Sequence, residues 1–241
     1  MKYLFLISWL RAREKKLADN VDIDRMIGAN SPEESFKVLN DTDYASYLQG
    51  ESYKTLERVI SKERQDFRKS LEGMDIEEEL IDVLFLRDDL QELSKKAKNI
   101  LFYQDYQGRS EKIENEILRK VKERSPEKPH EVDGIVLDIY FQRISSFLTK
   151  AKEKEVSEFF ENYRESLSNE SDLVVRDELL KKMEDEIIEK GAWQSDGFIP
   201  VLAFFIKKRR VENSIRTILS GKRIGLQSQE IYKLIKEKRA L

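Results

Sequence analysis

The stretch Phe198–Lys236 reads FIPVLAFFIKKRRVENSIRTILSGKRIGLQSQEIYKLIK, and it decides the fold. Pro200 stands where the first turn of a helix tolerates proline, because the missing N–H would have no helical partner there. The apolar residues that follow recur at the three- and four-residue spacing that lines one face of a helix. They are Val201, Phe204, Phe205, Val211, Ile215, Ile218 and Leu219. We therefore predict a long helix through this stretch.

Two glycines and a serine predict how this helix ends and how the chain continues. Gly221 is the residue type best suited to close a helix, because glycine adopts left-handed backbone without steric cost. Gly225 then turns the chain, and Ser228 is placed to cap a last helix that has its own apolar face. The stretch therefore predicts a packed helical hairpin.

The composition extends this all-α prediction to the whole chain. Only nine Gly and four Pro occur in 241 residues, while 38% of the residues are charged. Few turn-forming residues and many charges favour long solvated helices over a sheet protein. By length, the chain forms one large domain or two small ones.

Cysteine and histidine usage excludes several kinds of chemistry. The chain has no cysteine, so disulfides and thiolate-based sites are excluded, which fits a reducing cytoplasm. The single histidine, His130, follows a proline, and we assign it no catalysis. The apolar run at residues 3–10 is much shorter than the roughly 20 residues of a membrane span. We therefore expect no transmembrane segment.

Charge is unevenly distributed along the sequence. The net charge is −3, but residues 198–241 contain eleven Lys/Arg and three Glu, a local charge of +8. Residues 1–197 therefore carry −11. This asymmetry favours an acidic partner for the C-terminal region, with a solvated helix face as the alternative.

The rest of the chain also shows helical periodicity. Ser31, Pro32 and Glu34 form a helix start, with a serine cap and a glutamate three residues later. Two prolines interrupt the pattern at residues 125–130, which we interpret as a linker. The predicted helices cover residues 3–19, 51–71, 76–102, 110–124, 131–152, 156–167 and 173–189, with a loop at 191–197. This predicts an N-terminal helical lobe at 1–124 and a C-terminal lobe at 131–241, with a single continuous domain as the alternative.

The segment Glu212–Leu226, ENSIRTILSGKRIGL, resembles the C-terminal motif of the C subunit of archaeal-type and bacterial V-type rotary ATPases, the equivalent of the d subunit in vacuolar pumps. The matching positions are Glu212, Arg216, Ile218, Gly221, Lys222, Gly225 and Leu226. A second resemblance to the same family covers the N-terminal block from Trp9 through Ser31-Pro-Glu-Glu-Ser to Asp41-Thr-Asp-Tyr44. The two blocks lie at opposite ends of the chain, so they are largely independent.

The resemblance implies a funnel-like bundle of helical hairpins with pseudo-repeated lobes, in a chain shorter than typical family members. It implies a non-catalytic subunit of the central stalk, without cofactor or metal, that links the rotor shaft to the membrane proteolipid ring in proton or sodium transport. The partners would be the shaft subunits and the ring, and the location cytoplasmic and peripheral to the membrane.

Within this hypothesis, six cations are candidates for contacts with acidic groups of those partners: Lys207, Lys208, Arg209, Arg210, Lys222 and Arg223. Glu212 and Arg216 lie one helical turn apart, and they form either a plain surface pair or, if Arg216 also reaches another helix, a structural lock. Charge reversal at Arg209 and Arg210 is expected to weaken assembly and to leave the fold intact. Gly221 and Gly225 complete the structural motif.

Other functions receive less support from the sequence. No Gly-rich phosphate-binding loop occurs. Carboxylate groupings such as Asp133 with Asp138, or Glu184-Asp185-Glu186, are typical of solvated helix faces in so acidic a chain. The run Lys207–Arg210 lacks flanking aromatics for base stacking, so we expect no nucleic-acid partner. A basic-tailed helical nucleic-acid-binding protein and a generic helical adaptor remain the alternatives.

Overall fold

The computed structural model describes residues 3–99, 101, 119–170 and 172–240. Over these residues the chain is helical and has no β-strand, which confirms the all-α prediction. The helices are α1 (Leu4–Glu14), α2 (Asn20–Gly28), α3 (Pro32–Lys37), α4 (Leu56–Glu72), α5 (Glu78–Lys98), α6 (Pro129–Ala151), α7 (Lys154–Asn169), α8 (Leu173–Trp193), α9 (Phe198–Arg223) and α10 (Ser228–Ala240). Short 3-10 helices cover Val38–Asp41, Ala45–Tyr47 and Tyr53–Thr55. In these ranges no helix is long and apolar enough to cross a membrane.

The chain divides into two compact units, and the division differs from the predicted one. The first unit combines Met1–Met74 with Asp172–Leu241, and the second is Asp75–Ser171. Residues 125–130, the predicted linker, therefore lie inside the second unit. Pro129 is the first residue of α6, where a proline costs no helical hydrogen bond. His130 is exposed in the first turn of this helix.

The first unit is organised around α9, as the sequence pattern predicted. This helix packs against α1, α2, α3, α8 and α10. Its C-terminal half contributes Ile215, Ile218 and Leu219 to a buried apolar cluster. The cluster also takes residues from the N-terminal part of the chain, including Met26, Leu39, Tyr44 and Ile60, and from α10. Burial of these side chains is the main stabilising contribution to the unit.

The turn between α9 and α10 closes the helix at Gly225 rather than at Gly221. Gly225 has φ +81°, the left-handed backbone that favours glycine. Its N–H donates to the carbonyl of Lys222, and the N–H of Leu226 donates to the carbonyl of Gly221, so two terminal carbonyls are satisfied. The predicted helix end at Gly221 is therefore two residues early.

Gly221 lies inside α9, at the point where α10 packs against it. A Cβ atom at this position would lie 2.9 Å from Cγ1 of Ile231 and 3.2 Å from its Cδ1. The missing side chain thus allows α10 to pack closely on α9. Ser228 is the first residue of α10, and its hydroxyl donates to the carbonyl of Ile27 at 2.8 Å instead of capping its own helix.

The N-terminal helices differ from the prediction at two boundaries, one of which is the start of α4 at Leu56 and not at residue 51. The first helix ends at Glu14, not near Asp19, and a separate helix α2 follows. Asp19 caps α2, since its carboxylate accepts hydrogen bonds from the N–H groups of Val21 and Asp22 at 2.7 and 3.0 Å. The predicted start of α3 is confirmed, because the Ser31 hydroxyl accepts the N–H of Glu34 at 3.1 Å.

The second unit is built on α6, which packs against both α5 and α7. Phe141 on α6 meets Phe160 on α7 edge to face, with ring centroids 6.2 Å apart. Lys152 adopts left-handed backbone after the end of α6 and lets the chain reverse into α7. The predicted helix 110–124 lies mostly outside the described residues, and so does the end of the predicted helix 76–102. The funnel-like arrangement of pseudo-repeated lobes stays a prediction.

Candidate functional site

The first unit contains four ionisable side chains buried together, which we call the buried charge cluster: Asp43, Glu63, Lys208 and Glu212. Their side chains are between 0 and 7% exposed. The Lys208 ammonium lies 2.6 Å from Oε2 of Glu63, 3.4 Å from Oε1 of Glu212 and 3.8 Å from Oδ2 of Asp43. One buried cation therefore faces three carboxylates.

Two arginines, Arg13 and Arg64, add positive charge at the edge of the cluster. Arg13 reaches Glu63 at 3.4 Å, and Arg64 reaches Glu212 at 3.1 Å. The Arg13 guanidinium also lies over the rings of Trp9 and Phe67, 5.0 and 4.8 Å from their centroids. The three carboxylates thus meet Lys208, Arg13 and Arg64, and Arg216 also lies 3.7 Å from Glu212, so each buried carboxylate has a cationic partner.

Tyr44 connects the cluster to the apolar core. Its ring is fully buried, and its hydroxyl lies 3.4 Å from both Oε1 of Glu212 and Nζ of Lys208. The hydroxyl donates to the carboxylate and accepts from the ammonium. Burial, together with the nearby charges of Glu212, Asp43 and Glu63, raises the pKa of Tyr44 well above its ordinary value.

Burial sets the protonation of the charged members. It raises the pKa of both Glu63 and Asp43, although the positive charge of Lys208 opposes this in each case. For Lys208, burial alone would lower the pKa, but Glu63, Glu212 and Asp43 together raise it above 10.5. The Lys208 ammonium therefore stays charged at neutral pH. Replacing Lys208 by an uncharged residue would leave three buried carboxylates without the cation that they share.

Sequence reasoning missed Glu63 and Asp43, although the helical spacing contained a signal for Glu63. Glu63 lies three residues after Ile60 and four before Phe67, so it continues the apolar face of α4. Lys208 and Glu212 likewise fill the gap in the apolar face of α9 between Phe205 and Ile215, at the same spacing. A charged residue in register with an apolar face is the pattern that could have indicated burial. Asp43 sits in an irregular corner, where no such period exists.

Arg216 reaches a second helix. Its Nε and Nη2 atoms donate to the two carboxylate oxygens of Glu57 on α4, at 2.8 and 3.1 Å. Its Nη1 lies 3.7 Å from buried Glu212 on its own helix. This geometry corresponds to the structural-lock interpretation of the Glu212–Arg216 pair, because a bidentate bond fixes both distance and orientation between α9 and α4.

Arg216→Lys is expected to lower the free energy of unfolding by about 0.5–1 kcal/mol, because lysine cannot form the two parallel bonds to the exposed carboxylate of Glu57. Urea unfolding measures the change. Arg58→Lys is the matched control: Arg58 makes only a 3.7 Å contact with Glu51, which Lys62 also binds at 3.0 Å. Equal losses in both variants would contradict the lock.

Arg209 and Arg210 were predicted to face a partner at the surface. The structure contradicts this for Arg209 and leaves only part of the Arg210 side chain exposed. Arg209 is buried, and its Nη1 lies 3.8 Å from Oε1 of Glu184 on α8. Arg210 is half-buried and bonds Glu184 at 3.2 Å and Asp185 at 2.6 Å. Reversing the charge of Arg209 would place like charges together in the interior. The burial of Arg209 contradicts the surface position on which that expectation depended, and we now expect the change to destabilise the fold, since uncompensated buried charge is strongly destabilising.

The remaining candidate cations have different environments. Lys208 belongs to the buried charge cluster and cannot face a partner from there. Lys207 is half-buried and pairs with Glu14 of α1. Lys222 donates to the carbonyls of Ile27 and Ala29, so it closes the C-terminal end of α2. Arg223 is the exposed member of the predicted set.

The acidic groupings have internal partners. Asp133 accepts from Ser94 at 2.7 Å and pairs with Lys98, while Asp138 pairs with Arg124 and Arg164. Within the described ranges, no three or more His, Asp or Glu side chains are arranged to hold a metal ion. The carboxylates of the buried charge cluster have arginine and lysine partners. The ion pairs of the buried charge cluster are therefore suited to holding the helices of the first unit together.

No protein-family model matches this chain, and no curated protein matches it in a sequence search. The function is therefore inferred from the residues and from their geometry.

Proposed function

We propose that this protein is a non-catalytic central-stalk subunit of a rotary V/A-type ATPase or ATP synthase, of the kind that its two sequence blocks resemble. In this role it links the rotor shaft to the membrane proteolipid ring and transmits torque while protons or sodium ions are transported. It lies at the cytoplasmic side of the membrane as a peripheral part of the complex, and it converts no substrate itself.

One observation carries the proposal: the two sequence blocks that resemble this family pack against each other in one unit. Tyr44 of the N-terminal block meets Glu212 of the C-terminal block. Lys222 of the C-terminal block closes α2, which lies within the N-terminal block. Two unrelated accidental resemblances would have no reason to become neighbours in space. Their proximity supports a common origin in one structural module.

The internal electrostatics also suit a protein that bears mechanical load. Hydrogen bonds and ion pairs join α4, α9 and the corner at Asp43–Tyr44 through the buried charge cluster. Removing any single partner leaves a buried charge, so sliding of α4 along α9 costs several ion pairs at once. A body that transmits torque needs such resistance to internal displacement.

The nucleic-acid alternative depended on a basic surface at Lys207–Arg210. In the first unit these cations face Glu14, Glu63, Glu184 and Asp185. A run paired with carboxylates offers little positive potential to a phosphate backbone. The generic adaptor remains the second candidate, and it predicts a partner unrelated to rotary ATPases.

The test is capture of the affinity-tagged full chain from detergent-solubilised native membranes, followed by identification of bound proteins. The proposal predicts stoichiometric recovery of shaft, nucleotide-binding and proteolipid subunits. A tagged bystander protein processed in parallel serves as the control. Recovery of the chain alone, or with partners unrelated to ion transport, would contradict the proposal. Binding to DNA or RNA that weakens steeply as salt rises would favour the nucleic-acid alternative.

A further inference from the structure

A small pocket lies between the start of α4 and the end of α9, both in the first unit. Its volume is about 200 Å³. Lys54 and Glu57 line one side, and Arg216 and Arg223 line the other. Leu56 and Leu219, which are both buried, provide apolar lining. The pocket thus combines a charged rim with an apolar floor.

The charges around this pocket do not balance. Both oxygens of the Glu57 carboxylate accept hydrogen bonds from Arg216. Lys54 and Arg223 are exposed, and neither forms an ion pair with any residue that the structure describes. The Lys54 ammonium lies 5.9 Å from the ring of Tyr53, which orients it without neutralising it. Two positive charges therefore remain available to a ligand.

The lining favours a protein carboxylate over a phosphate group. A carboxylate carried on a peptide brings a neighbouring side chain into the pocket, whereas a free phosphate would leave the apolar lining in contact with water. The apolar floor therefore favours a ligand that carries an apolar group beside its negative charge. A peptide segment with an acidic residue next to an aliphatic one satisfies both requirements.

We propose that this pocket, which we call the α4–α9 pocket, is a docking site for an acidic and aliphatic segment of a partner protein. Lys54 and Arg223 bind its carboxylate, and Leu56 and Leu219 at the pocket floor contact its aliphatic side chain. The chemistry of the site rests on the residues alone. The assignment of the segment to a shaft or ring protein rests on the proposed function.

The test uses a fluorescein-labelled peptide of three Glu-Leu repeats and measures its fluorescence anisotropy with the purified full chain. The double variant Lys54→Glu/Arg223→Glu is expected to bind about tenfold or more weakly, because both cations are replaced by repelling charges. A peptide of three Lys-Leu repeats is expected not to bind. Inorganic phosphate at the same ionic strength as a chloride control is expected not to displace the acidic peptide.

The matched control is Lys15→Glu/Lys182→Glu, which makes the same change in net charge at two exposed sites outside the pocket. Its affinity for the peptide should equal that of the unmodified chain. Equal weakening in both double variants would overturn the proposal, since binding would then follow net charge alone. Absence of binding to the unmodified chain, or displacement by phosphate, would also overturn it.

The two proposals fail in distinguishable ways. Peptide binding that depends on Lys54 and Arg223, combined with capture of no rotary subunits, would retain the docking site and reject the proposed function. Capture of rotary subunits that is unchanged by Lys54→Glu/Arg223→Glu would retain the function and reject this pocket as their contact.

Discussion

Lys208→Met is expected to lower the free energy of unfolding by about 3–5 kcal/mol, the typical cost of removing one partner of a buried ion pair. Methionine keeps much of the length and volume of lysine, so the loss reports charge rather than a cavity. Glu63, which is fully buried, loses its closest partner at 2.6 Å. Urea unfolding followed by circular dichroism measures the loss, and amide hydrogen exchange of α9 assigns it to the first unit.

The loss in free energy of unfolding caused by Lys208→Met should depend on pH. Burial already raises the pKa of Asp43 and Glu63 above their ordinary values of 3.8 and 4.5, and Lys208 opposes this rise. Without Lys208 the folded-state pKa of both groups rises further. A carboxyl with a raised folded-state pKa stabilises the fold when protonated, and this contribution is lost as pH rises through that pKa. The stability that Lys208→Met loses should therefore be smallest at about pH 4, close to the ordinary pKa values of the two carboxyls, and should grow as the pH rises toward neutral.

A double-mutant cycle provides the control. Glu63→Gln removes one buried negative charge, so the combined variant Lys208→Met/Glu63→Gln should lose less stability than the sum of the single variants. The coupling expected for groups in direct contact is about 0.5–3 kcal/mol. Strict additivity, or a pH-independent deficit, would show that the ion pair contributes nothing specific.

Gly191→Ala is expected to destabilise the protein by about 1–3 kcal/mol, the usual cost of overpacking. A Cβ at this position would lie 2.5 Å from Cβ of Ala203, and 3.3 Å from the carbonyl oxygen of Ile199 and from Cα of Pro200. Two of these neighbours are backbone atoms, which cannot move aside as a flexible side chain can. On an open helix surface the same change would instead stabilise by up to about 1 kcal/mol. Thermal and urea unfolding both measure whether Gly191→Ala raises or lowers the stability of the protein.

Two variants check this reasoning. Gly28→Ala makes the same chemical change at a helical glycine with no atom within 4 Å, so it should be neutral or stabilising. Gly191→Ala combined with Ala203→Gly removes the nearest contact and should recover part of the loss. If Gly191→Ala behaved like Gly28→Ala, α8 and α9 would not pack as closely as described.

Sequence patterns predicted most helices because an apolar face repeats locally. The face of α9 from Val201 to Leu219 is readable from spacing alone, and so is the cap at Ser31. The position of a helix end is harder to predict when two glycines compete. Gly221 and Gly225 both suit a helix terminus, but only the position of Ile231 on α10 shows that Gly221 is needed for close packing. Gly191, predicted in a loop, is helical and allows a similarly close approach of α8 to α9.

The fate of charged residues was the least predictable property. In the sequence, Lys207–Arg210 is a run of four cations that point in several directions around a helix. Charged side chains are usually exposed, so each of the four is expected at the surface. Glu63 on α4 lies 145 positions before Lys208, and Glu184 on α8 lies 25 positions before Arg209, yet both carboxylates face these cations in the fold. No local pattern can indicate such a partner.

The sequence by itself determined the all-α class, the central place of α9, and a resemblance carried by two separate blocks, since each depends on residues near one another in the chain. Only the tertiary structure decided which cations are interior and which remain available at the surface. Burying a charge is favourable only where opposite charges converge on it, and that convergence depends on distant segments of the chain meeting. Lys208 is therefore paired inside the first unit, while Arg223, on the same helix, is exposed and forms no ion pair with the residues that the structure describes.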